Sequence, residues 1–331
     1  MFEDSQKPRS LNQGVNSMEK KTSFEVWSQE WLRRKEPFIK YSTFAAYTNI
    51  VINHLIPYWG EKELTEINEE QVQEYVLHLV SRGRLDGKGG INVRSAKDIV
   101  VVFKSILRDA ARLKMISAPS FELHYPRTDY EHRIPVLSKA IQRQLVEAVQ
   151  NELTPASCGI LLSLYTGLRI GEVCALKWER IDLNEAVLQV RQTVQRVYIK
   201  SARDKGSSKL VTGNPKTRTS RRDVPLSKAL LAVLKRLPKA SSDAYLLTGT
   251  EHCMEVRTFR SFFQSFLDRH SIPRINFHAL RHTFATRCIE CGADAKTVSE
   301  LLGHATIAMT MNLYVHPRVE QKRNCVELIT Q

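Results

Sequence analysis

The sequence predicts a mainly α-helical protein with a small antiparallel β-sheet, an α+β fold divided into two domains. Three features of the chain lead to this prediction. Apolar residues recur at helical spacing through its N-terminal third. A stretch with three prolines and no periodicity interrupts this pattern at 116–135. Beyond it, further helical segments surround one region rich in β-branched residues. A chain of 331 residues is long enough to form two ordinary cores.

Four amphipathic helices are predicted before the proline-containing stretch. Phe24, Trp27 and Trp31 share one face of the first. The second is expected to end before Pro57, because proline lacks an amide hydrogen and its ring clashes with the preceding turn. Asn68 is expected to cap the third. The predicted helices are 22–35, 41–56, 68–83 and 95–116. Helices joined by such short links form a compact bundle.

The second half of the chain is predicted to combine helices with short strands. Segments 138–150 and 156–178 are helical in pattern, and Gly167 marks a break inside the second of them. "AVLQVRQTVQRVYIK" at 186–200 is typical of a hairpin or a pair of strands. A basic, Gly/Ser/Thr-rich excursion follows, and we expect it to end in a strand at 223–226. The remainder is predicted to be helical.

The charge distribution indicates a polyanionic partner. The chain has 49 Lys and Arg against 35 Asp and Glu, a net charge of +14. Residues 136–331 contain 29 of these basic residues and 17 of the acidic ones, which leaves +12 in this region. Within 195–222, nine basic residues face one acidic residue, Asp204. Such a concentration of positive charge favours nucleic acid as the partner, although a solubilising excess of charge is the alternative.

Composition excludes several classes of protein. No apolar run approaches the roughly 20 residues that span a bilayer. The polar stretch 1–20 has no apolar core, so it is not a signal peptide, and we expect it to be disordered. The six cysteines are scattered, as expected of free thiols in a reducing compartment. These features predict a cytoplasmic protein.

The stretch "FHALRHTFATRC" at 277–288 raises a question of charge. His278, Arg281 and His282 fall on one helical turn, and residues three and four apart share a face. Like charges at this spacing repel each other unless an anion lies between them. A zinc site is the alternative for the two histidines, but Ala279 stands where a zinc protease carries its glutamate, and an arginine opposes a metal ion.

No other metal or cofactor site is predicted. Cys288 and Cys291 have CxxC spacing, yet no second pair of cysteines or histidines follows at the distance that a zinc site needs. The sequence contains no phosphate-binding GxxxxGK[ST] loop, no GxGxxG after a strand and no GxSxG. It also lacks the dense carboxylate cluster of a two-metal nuclease. Chemistry on phosphates would therefore depend on side-chain cations.

Three further segments offer polar groups. In "TGLRIGEVCALKW", Arg169 lies near a helix start, where an anion is favoured, and Glu172 is placed to hold its guanidinium. Lys216 lies in a basic turn, "NPKTRTSRR". In "LLGHATIAMTMNLY", His304 follows a helix-ending glycine, and Tyr314 comes ten residues later. Taken singly, these segments are equally compatible with a surface ion pair, a phosphate-contacting loop without catalysis and an ordinary packed tyrosine.

Taken in order, the segments resemble the tyrosine recombinase (phage integrase) family. The motifs that carry the resemblance are "TGLRIGE", "HALRHTFAT" and "LLGH" followed by a tyrosine, and the likeness covers about 22–331. "PKTRTSRRDVPL" and the ten-residue gap before the tyrosine are most similar to integrases of conjugative transposons and temperate phages. Such enzymes are site-specific DNA recombinases that need neither a metal ion nor ATP.

The resemblance implies a role for each residue. Tyr314 would attack the scissile phosphate and form a 3′-phosphotyrosyl link. Arg169 and Arg281 would bind its non-bridging oxygens, and Glu172 would orient Arg169. Lys216 would be the general acid for the 5′ oxygen, although Lys205 and Lys209 lie in the same excursion. His278 would assist proton transfer, His304 would donate to the phosphate, and His282 would face the protein. The DNA-binding residues predicted from the basic excursion are Lys205, Lys209, Arg218, Arg221 and Arg222.

The resemblance also implies an organisation and partners. A leader at 1–20 precedes a helical, core-binding DNA-binding domain at 21–117, a linker at 118–135 and a catalytic domain at 136–318. The tail 319–331 is expected to dock on a neighbouring subunit. The expected partners are double-stranded DNA with paired core sites, three further copies in a homotetramer, and an excisionase or a host DNA-bending protein. The expected location is the bacterial cytoplasm, in association with the nucleoid.

One departure and two alternatives stand beside this prediction. Transposon-type integrases usually carry an N-terminal arm-binding domain, and only about 20 residues precede the first predicted helix here, which places arm-site binding in doubt. A DNA-binding regulator that has lost catalysis would keep the fold, and covalent capture of DNA would distinguish it. A type IB topoisomerase would use similar groups, and strand exchange between two duplexes would distinguish that activity.

Overall fold

The computed structural model describes residues 22–127, 135–199, 207–213, 218–238, 240–314, 323 and 326–327. These residues form two compact units. The first contains 22–127 together with 198–199 and 207, and the second contains 135–197 and the described residues from 208 onwards. Within the described ranges, no helix combines the length and the apolar character that a membrane span requires.

The first unit is the predicted bundle of helices. Its helices are α1 Phe24–Lys35, α2 Tyr41–Ile50, α3 Ile56–Trp59, α4 Glu69–Arg82 and α5 Val93–Arg112. Asn68 caps α4 as predicted, accepting a hydrogen bond from the Gln71 amide at 3.0 Å. Trp31, Trp59 and Phe103 are almost fully buried in a core to which all these helices contribute. Aromatic side chains therefore provide much of the buried apolar area.

The helix after residue 41 does not end before Pro57, so that prediction was wrong. A π turn, Val51–Leu55, connects α2 directly to α3, in which Pro57 occupies a first-turn position. Ile56 donates its amide hydrogen to the carbonyl of Val51, five residues back. A π turn shifts the backbone hydrogen bonds by one residue, so the chain passes the proline without the clash that an α-helix would impose.

The first unit extends into the predicted linker. The Phe121 carbonyl accepts a hydrogen bond from Lys104 Nζ at 2.9 Å, and His124 exchanges two backbone hydrogen bonds with the Gln73 side chain. Phe121 and Tyr125 pack against the aromatic core. The unit therefore continues beyond residue 117, the predicted end of the core-binding domain, at least as far as Tyr125.

The second unit surrounds one helix that is apolar on all sides. Helix α7, Pro155–Thr166, has nine buried residues and lies in the main core of the unit. A helix without a polar face is stable only when other elements cover it completely. The elements around it are α6 Lys139–Asn151, α8 Ile170–Cys174, α9 Lys228–Arg236, α10 Val256–Arg269 and α11 His278–Glu290. Helices α12 Ala295–Leu302 and α13 Ile307–Tyr314 follow.

Two small sheets complete the second unit. Strands β1 Ile181–Asp182, β2 Val187–Val190 and β5 Arg222–Pro225 form an antiparallel sheet with β2 in the centre, and β3 Thr193–Ile199 pairs with β4 Ser207–Gly213. The two strands predicted within 186–200 exist, but they belong to different sheets. The predicted strand at 223–226 begins one residue earlier, at Arg222.

Candidate active site

The turn between α7 and α8 presents Arg169. Gly167 ends α7 in the left-handed region, with a φ of 67°, and a Cβ at this position would come within 2.6 Å of the Leu302 and Phe284 side chains. Glycine is therefore required both by conformation and by space. Arg169 caps α8, where its amide donates to Glu172 Oε2 at 3.0 Å and its Nη1 donates to Oε1 at 2.8 Å. The predicted pairing of Arg169 with Glu172 is present.

Helix α11 places Arg281 inside the second unit. Arg281 is only 1% exposed, and its guanidinium donates to the carbonyl of Gly167 at 2.7 Å and to that of Leu302 at 2.8 Å. His278, one turn earlier, is the first residue of α11 and is exposed. His282, one residue after Arg281, is buried, and its ring contacts that of His278 with their centroids 5.0 Å apart.

The turn that ends α12 joins the two arginines. Gly303 adopts a left-handed conformation with a φ of 62°. The carbonyl of Gly303 accepts a hydrogen bond from Arg169 Nη2 at 3.1 Å, and the preceding carbonyl, of Leu302, accepts the one from Arg281. Two guanidinium groups are thus held by successive carbonyls, and His304 follows directly in the chain.

His304 is held by the helix that comes after it. Its Nδ1 lies 2.8 Å from the hydroxyl of Thr310, which is fully buried in α13. His304 itself is only 7% exposed. Tyr314 is the last residue of α13, and its side chain is outside what the structure describes. No pattern in the sequence points to Thr310, because a threonine in an apolar helix usually packs without a specific partner.

A second arginine shares the carboxylate of Glu172. Arg222 Nη2 donates to Oε2 at 2.9 Å and Nη1 to Oε1 at 3.3 Å, and the two side chains are only 6% and 3% exposed. Arg222 also donates to the carbonyls of Leu301 and Ser220. One buried carboxylate therefore lies between two guanidinium groups.

Burial and the nearby cations determine the protonation of the site. Burial lowers the pKa of His304 to about 4, and the positive charges of Arg281 and Arg169 act in the same direction. Burial also lowers the pKa of His282 to about 4, with His278 and Arg281 adding to the effect. Partial burial lowers the pKa of His278, and the positive charges of Arg281 and Arg169 add to this effect. All three imidazoles are therefore neutral at pH 7, which removes most of the repulsion that the sequence predicted.

Glu172 remains ionised despite its burial. Removal from water would raise the pKa of this carboxyl group, but the charges and hydrogen bonds of Arg222 and Arg169 outweigh that effect and hold the pKa below its ordinary value. The site therefore combines a fixed carboxylate, fixed guanidinium groups and neutral imidazoles. Such a set offers fixed positive charge and neutral N–H donors to an anion.

Comparison with known proteins identifies the family of this chain. The sequence matches the phage integrase family over residues 135–321, more than half of the chain. The chain belongs to the phage integrase family. The N-terminal SAM-like domain of phage integrases matches residues 23–80 of this integrase, within the first unit.

Two relatives resemble the integrase over most of its length. A tyrosine recombinase XerC-like protein of Caldanaerobacter subterraneus subsp. tengcongensis is 29% identical over 316 residues, which cover 90% of this chain and 78% of the relative. The ICEBs1 integrase of Bacillus subtilis is 21% identical over 286 residues, which cover 81% and 72% of the two chains. The predicted family and the predicted enzyme class, a tyrosine site-specific recombinase, are confirmed.

Solved structures share the fold of this integrase. The Tn1549 transposon integrase in complex with transposon right end DNA superposes with a TM-score of 0.75 at 19% identity, over 94% of this chain and 100% of that one. A lambda integrase tetramer bound to a Holliday junction superposes with a TM-score of 0.61 at 16% identity, over 89% and 78% of the two chains. The predicted fold class is confirmed.

The structure brings together five of the predicted site residues of this integrase. They are Arg169, Glu172, His278, Arg281 and His304. Lys205 and Lys216 fall outside the described residues, as do the side chains of Arg218 and Tyr314. The tail 319–331 lies almost entirely outside them. Its predicted docking, the role of Lys216 and the attack by Tyr314 remain predictions.

The DNA-binding residues are placed unequally. Lys209 and Arg221 are exposed, as a contact with DNA requires. The DNA-binding prediction for Arg222 is corrected, because this side chain is buried and bonded to Glu172. The physical reason is the alternation of strand side chains, which directs Arg222 and Val224 inward and Asp223 outward along β5.

Proposed function

We propose that this integrase cleaves and rejoins DNA at paired core sites through a 3′-phosphotyrosyl intermediate formed by Tyr314, and exchanges strands by way of a Holliday junction. The observation that supports it best is the shared support of Arg169 and Arg281 on the carbonyls of residues 302 and 303. His304 follows this turn directly, and the next helix ends at Tyr314.

The two arginines would bind the non-bridging oxygens of the scissile phosphate. Guanidinium groups are planar, permanently charged and matched to phosphate oxygens, which suits them better than lysines to this task. Negative charge increases on these oxygens as the phosphorus becomes five-coordinate. Because the hydrogen bonds to Gly167, Leu302 and Gly303 hold the arginines in place, little reorganisation is needed at that moment. Removing one such donor costs about 10²–10³-fold in rate in other enzymes.

His304 would donate a hydrogen bond to the same phosphate. A neutral imidazole has one N–H, and its position depends on what the other nitrogen accepts. If the Thr310 hydroxyl donates to Nδ1, the proton resides on Nε2, and Nε2 becomes the donor. The low pKa of about 4 makes this neutral form dominant at pH 7.

The bond changes balance without a cofactor. The phenolic oxygen of Tyr314 gives its proton to the neutral His278 and forms a bond to phosphorus. The bond from phosphorus to the 5′ oxygen breaks, and Lys216 gives that oxygen a proton. A 5′ hydroxyl on another strand then returns a proton to Lys216 and attacks the phosphotyrosine, and the released Tyr314 oxygen takes its proton back from His278. The covalent link retains the phosphodiester energy, so neither ATP nor a metal ion is required.

The assembly would be a homotetramer on two duplexes. The Tn1549 and lambda relatives were solved on DNA, the latter as a tetramer on a Holliday junction. We place the first unit and the exposed Lys209 and Arg221 on DNA, and the tail 319–331 on a neighbouring subunit. An excisionase or a host DNA-bending protein would set the direction of the reaction, in association with the nucleoid.

The test compares the covalent capture of DNA by wild type and by Tyr314→Phe. The substrate is a nicked duplex carrying the core site, taken from imperfect inverted repeats beside the gene. Wild type should form an adduct that survives SDS, and Tyr314→Phe should bind with the same Kd and form none. Tyr245→Phe, a matched loss of one hydroxyl in a tyrosine beneath Lys177, should form the adduct.

Three results would contradict the proposal. An adduct with Tyr314→Phe would remove this tyrosine as the nucleophile. Absence of an adduct with wild type would favour the catalytically silent regulator. If the protein formed the adduct and relaxed supercoiled DNA but never joined strands of two duplexes, a topoisomerase would be favoured.

A further inference from the structure

Arg222 lies where three elements of the second unit meet. Its guanidinium contacts Glu172 on α8, the Leu301 carbonyl near the end of α12, and the Ser220 carbonyl just before β5. Arg222 is 8% exposed, so it has no surface on which DNA could lie. The basic excursion of the sequence predicted only a DNA contact for this residue.

We infer that Arg222 is a positioning residue of the recombination site. By holding Glu172 it fixes the orientation of Arg169, and by bonding to Leu301 and Ser220 it fixes the turn at 302–304 relative to the segment that follows Lys216. This inference rests on the proposed role of Arg169 at the scissile phosphate.

The carboxylate of Glu172 provides the first argument. Oε1 accepts from Arg169 Nη1 at 2.8 Å and from Arg222 Nη1 at 3.3 Å. Oε2 accepts from the Arg169 amide at 3.0 Å and from Arg222 Nη2 at 2.9 Å. Each oxygen is thus shared by both arginines, so the plane of the carboxylate is fixed from two sides. A planar fork with two parallel donors can do this, whereas the single ammonium of lysine cannot.

The packing around Gly303 provides the second argument. A Cβ at Gly303 would lie 3.0 Å from Arg222 Nη1 and 3.1 Å from the Ser220 Cα. The guanidinium is therefore packed directly against the turn whose Gly303 carbonyl accepts from Arg169. Arg169 thus depends on Arg222 twice, through Glu172 on one side and through Gly303 on the other.

The first experiment measures adduct formation by Arg222→Lys on the nicked core-site duplex. The variant keeps the positive charge but loses the two parallel N–H donors of the guanidinium. Arg169 should therefore lose its orientation. The rate of adduct formation should fall about 10²-fold, which is the effect of a small misplacement at a reacting centre. The Kd for DNA should not change. Arg269→Lys is the control for the exchange of arginine for lysine, because Arg269 forms an exposed ion pair with Glu152 that contacts none of the described site residues, and it should keep the wild-type rate.

Two further readouts separate positioning from general support of the fold. In an Arg169→Lys background, adding Arg222→Lys should cost less than about threefold, because residues that act through one another are not additive. On a methylphosphonate substrate, which lacks the charge that a guanidinium stabilises, the defect of Arg222→Lys should shrink by about tenfold or more. A defect caused only by a less stable fold would be the same on both substrates.

The inference is overturned if Arg222→Lys keeps the wild-type rate, or if its defect adds fully to that of Arg169→Lys and is unchanged on methylphosphonate. Should Arg222→Lys not fold, the double variant Glu172→Gln with Arg222→Met removes both charges of the buried ion pair and should show the same loss. A wild-type rate in this variant overturns the inference. The Tyr314→Phe comparison remains independent, since an adduct that depends on Tyr314 supports the proposed function whatever Arg222 does.

Discussion

His282 and His304 are the residues at which the site affects stability most directly. Both are buried beside cations, and the pKa of each falls from an ordinary value of 6.5 to about 4 in the folded chain. In the unfolded chain both imidazoles return to the ordinary value. Between these two values the unfolded chain binds protons that the folded chain does not bind. Stability therefore falls as the pH falls from about 6.5 towards 4 and does not change for this reason above that window.

We predict that His304→Asn removes part of this pH dependence. Asparagine does not titrate, and its Oδ1 can accept a hydrogen bond from the hydroxyl of Thr310, which lies 2.8 Å from Nδ1 of His304. For wild type, the two histidines together should reduce the free energy of unfolding by up to about 3 kcal/mol per pH unit within the window, and the variant should lose about half of that slope. Urea unfolding at pH 7.5 and 5.5 measures the difference.

The exposed His252 supplies the control for that experiment. His252→Asn should show the same change in unfolding free energy between the two pH values as wild type. Equal pH dependence in His304→Asn and wild type would mean that folding does not lower the pKa of His304, contrary to the pKa that we assign to it.

Individual residues differ in how far the sequence could predict them. Arg169 and Glu172 were found because they lie three residues apart at a helix start, where local geometry decides the contact. The contact of Arg222 with Glu172 could not be predicted, because the two residues lie fifty positions apart and their contact depends on strand register. The predicted strand began one residue too late, which placed Arg222 outside it, among the solvated basic residues.

At the level of elements, the turn 302–304 is the structure that the site depends on most. Its two carbonyls hold the arginines, and its third residue is His304. Gly303 makes the turn possible, because its φ of 62° lies in the region that side chains other than glycine rarely adopt. Little space remains around its Cα, as the distances to Arg222 and Ser220 show.

We predict that Gly303→Ala abolishes adduct formation and that Gly249→Ala does not. Both glycines have similar positive φ angles, so each alanine should cost about 1–2 kcal/mol of stability for conformation alone. Only at Gly303 would the new Cβ press on neighbours, whereas nothing lies within 4 Å of a Cβ at Gly249. Thermal unfolding and the adduct assay measure the two effects. Similar adduct yields from both variants would show that the turn tolerates displacement.

Elements with strong local signals were predicted well, and those that depend on distant partners were not. Asn68 and Gly303 mark helix ends because capping and left-handed glycines act within a few residues. The predicted helix ended too early, before Pro57. A π turn has no recognisable sequence pattern and occurs where tertiary packing holds the chain in place. The strands at 186–200 were found, but their assignment to two sheets depends on partners far along the chain.

For the molecule as a whole, the important property is that its two units differ in net charge and in architecture. The first unit is a nearly balanced bundle with an aromatic core, and most of the net charge of +14 lies beyond it. The sequence predicted two domains because the proline-containing segment interrupts the helical pattern. It placed the end of the first unit too early, because Phe121 and Tyr125 contact the bundle from a segment without periodicity.

The last prediction concerns how the two units bind DNA together. Each unit alone, expressed as 22–127 or 135–331, should bind the core site far more weakly than the whole chain, because the linker makes the second contact intramolecular. The dependence of Kd on salt should be steepest for the whole chain, since each phosphate contact adds about 0.9 to the slope of log K against log salt. Fluorescence anisotropy between 50 and about 200 mM salt covers the useful range.

A shorter fragment, 22–117, tests the boundary in the same experiment. It lacks Phe121 and Tyr125, which cover part of the aromatic core, and it loses the hydrogen bonds between Gln73 and His124. It should therefore unfold at a lower temperature than 22–127 and bind DNA no better. If either long fragment matched the affinity and the salt slope of the whole chain, that unit alone would account for binding, and a two-unit grip on DNA would be excluded.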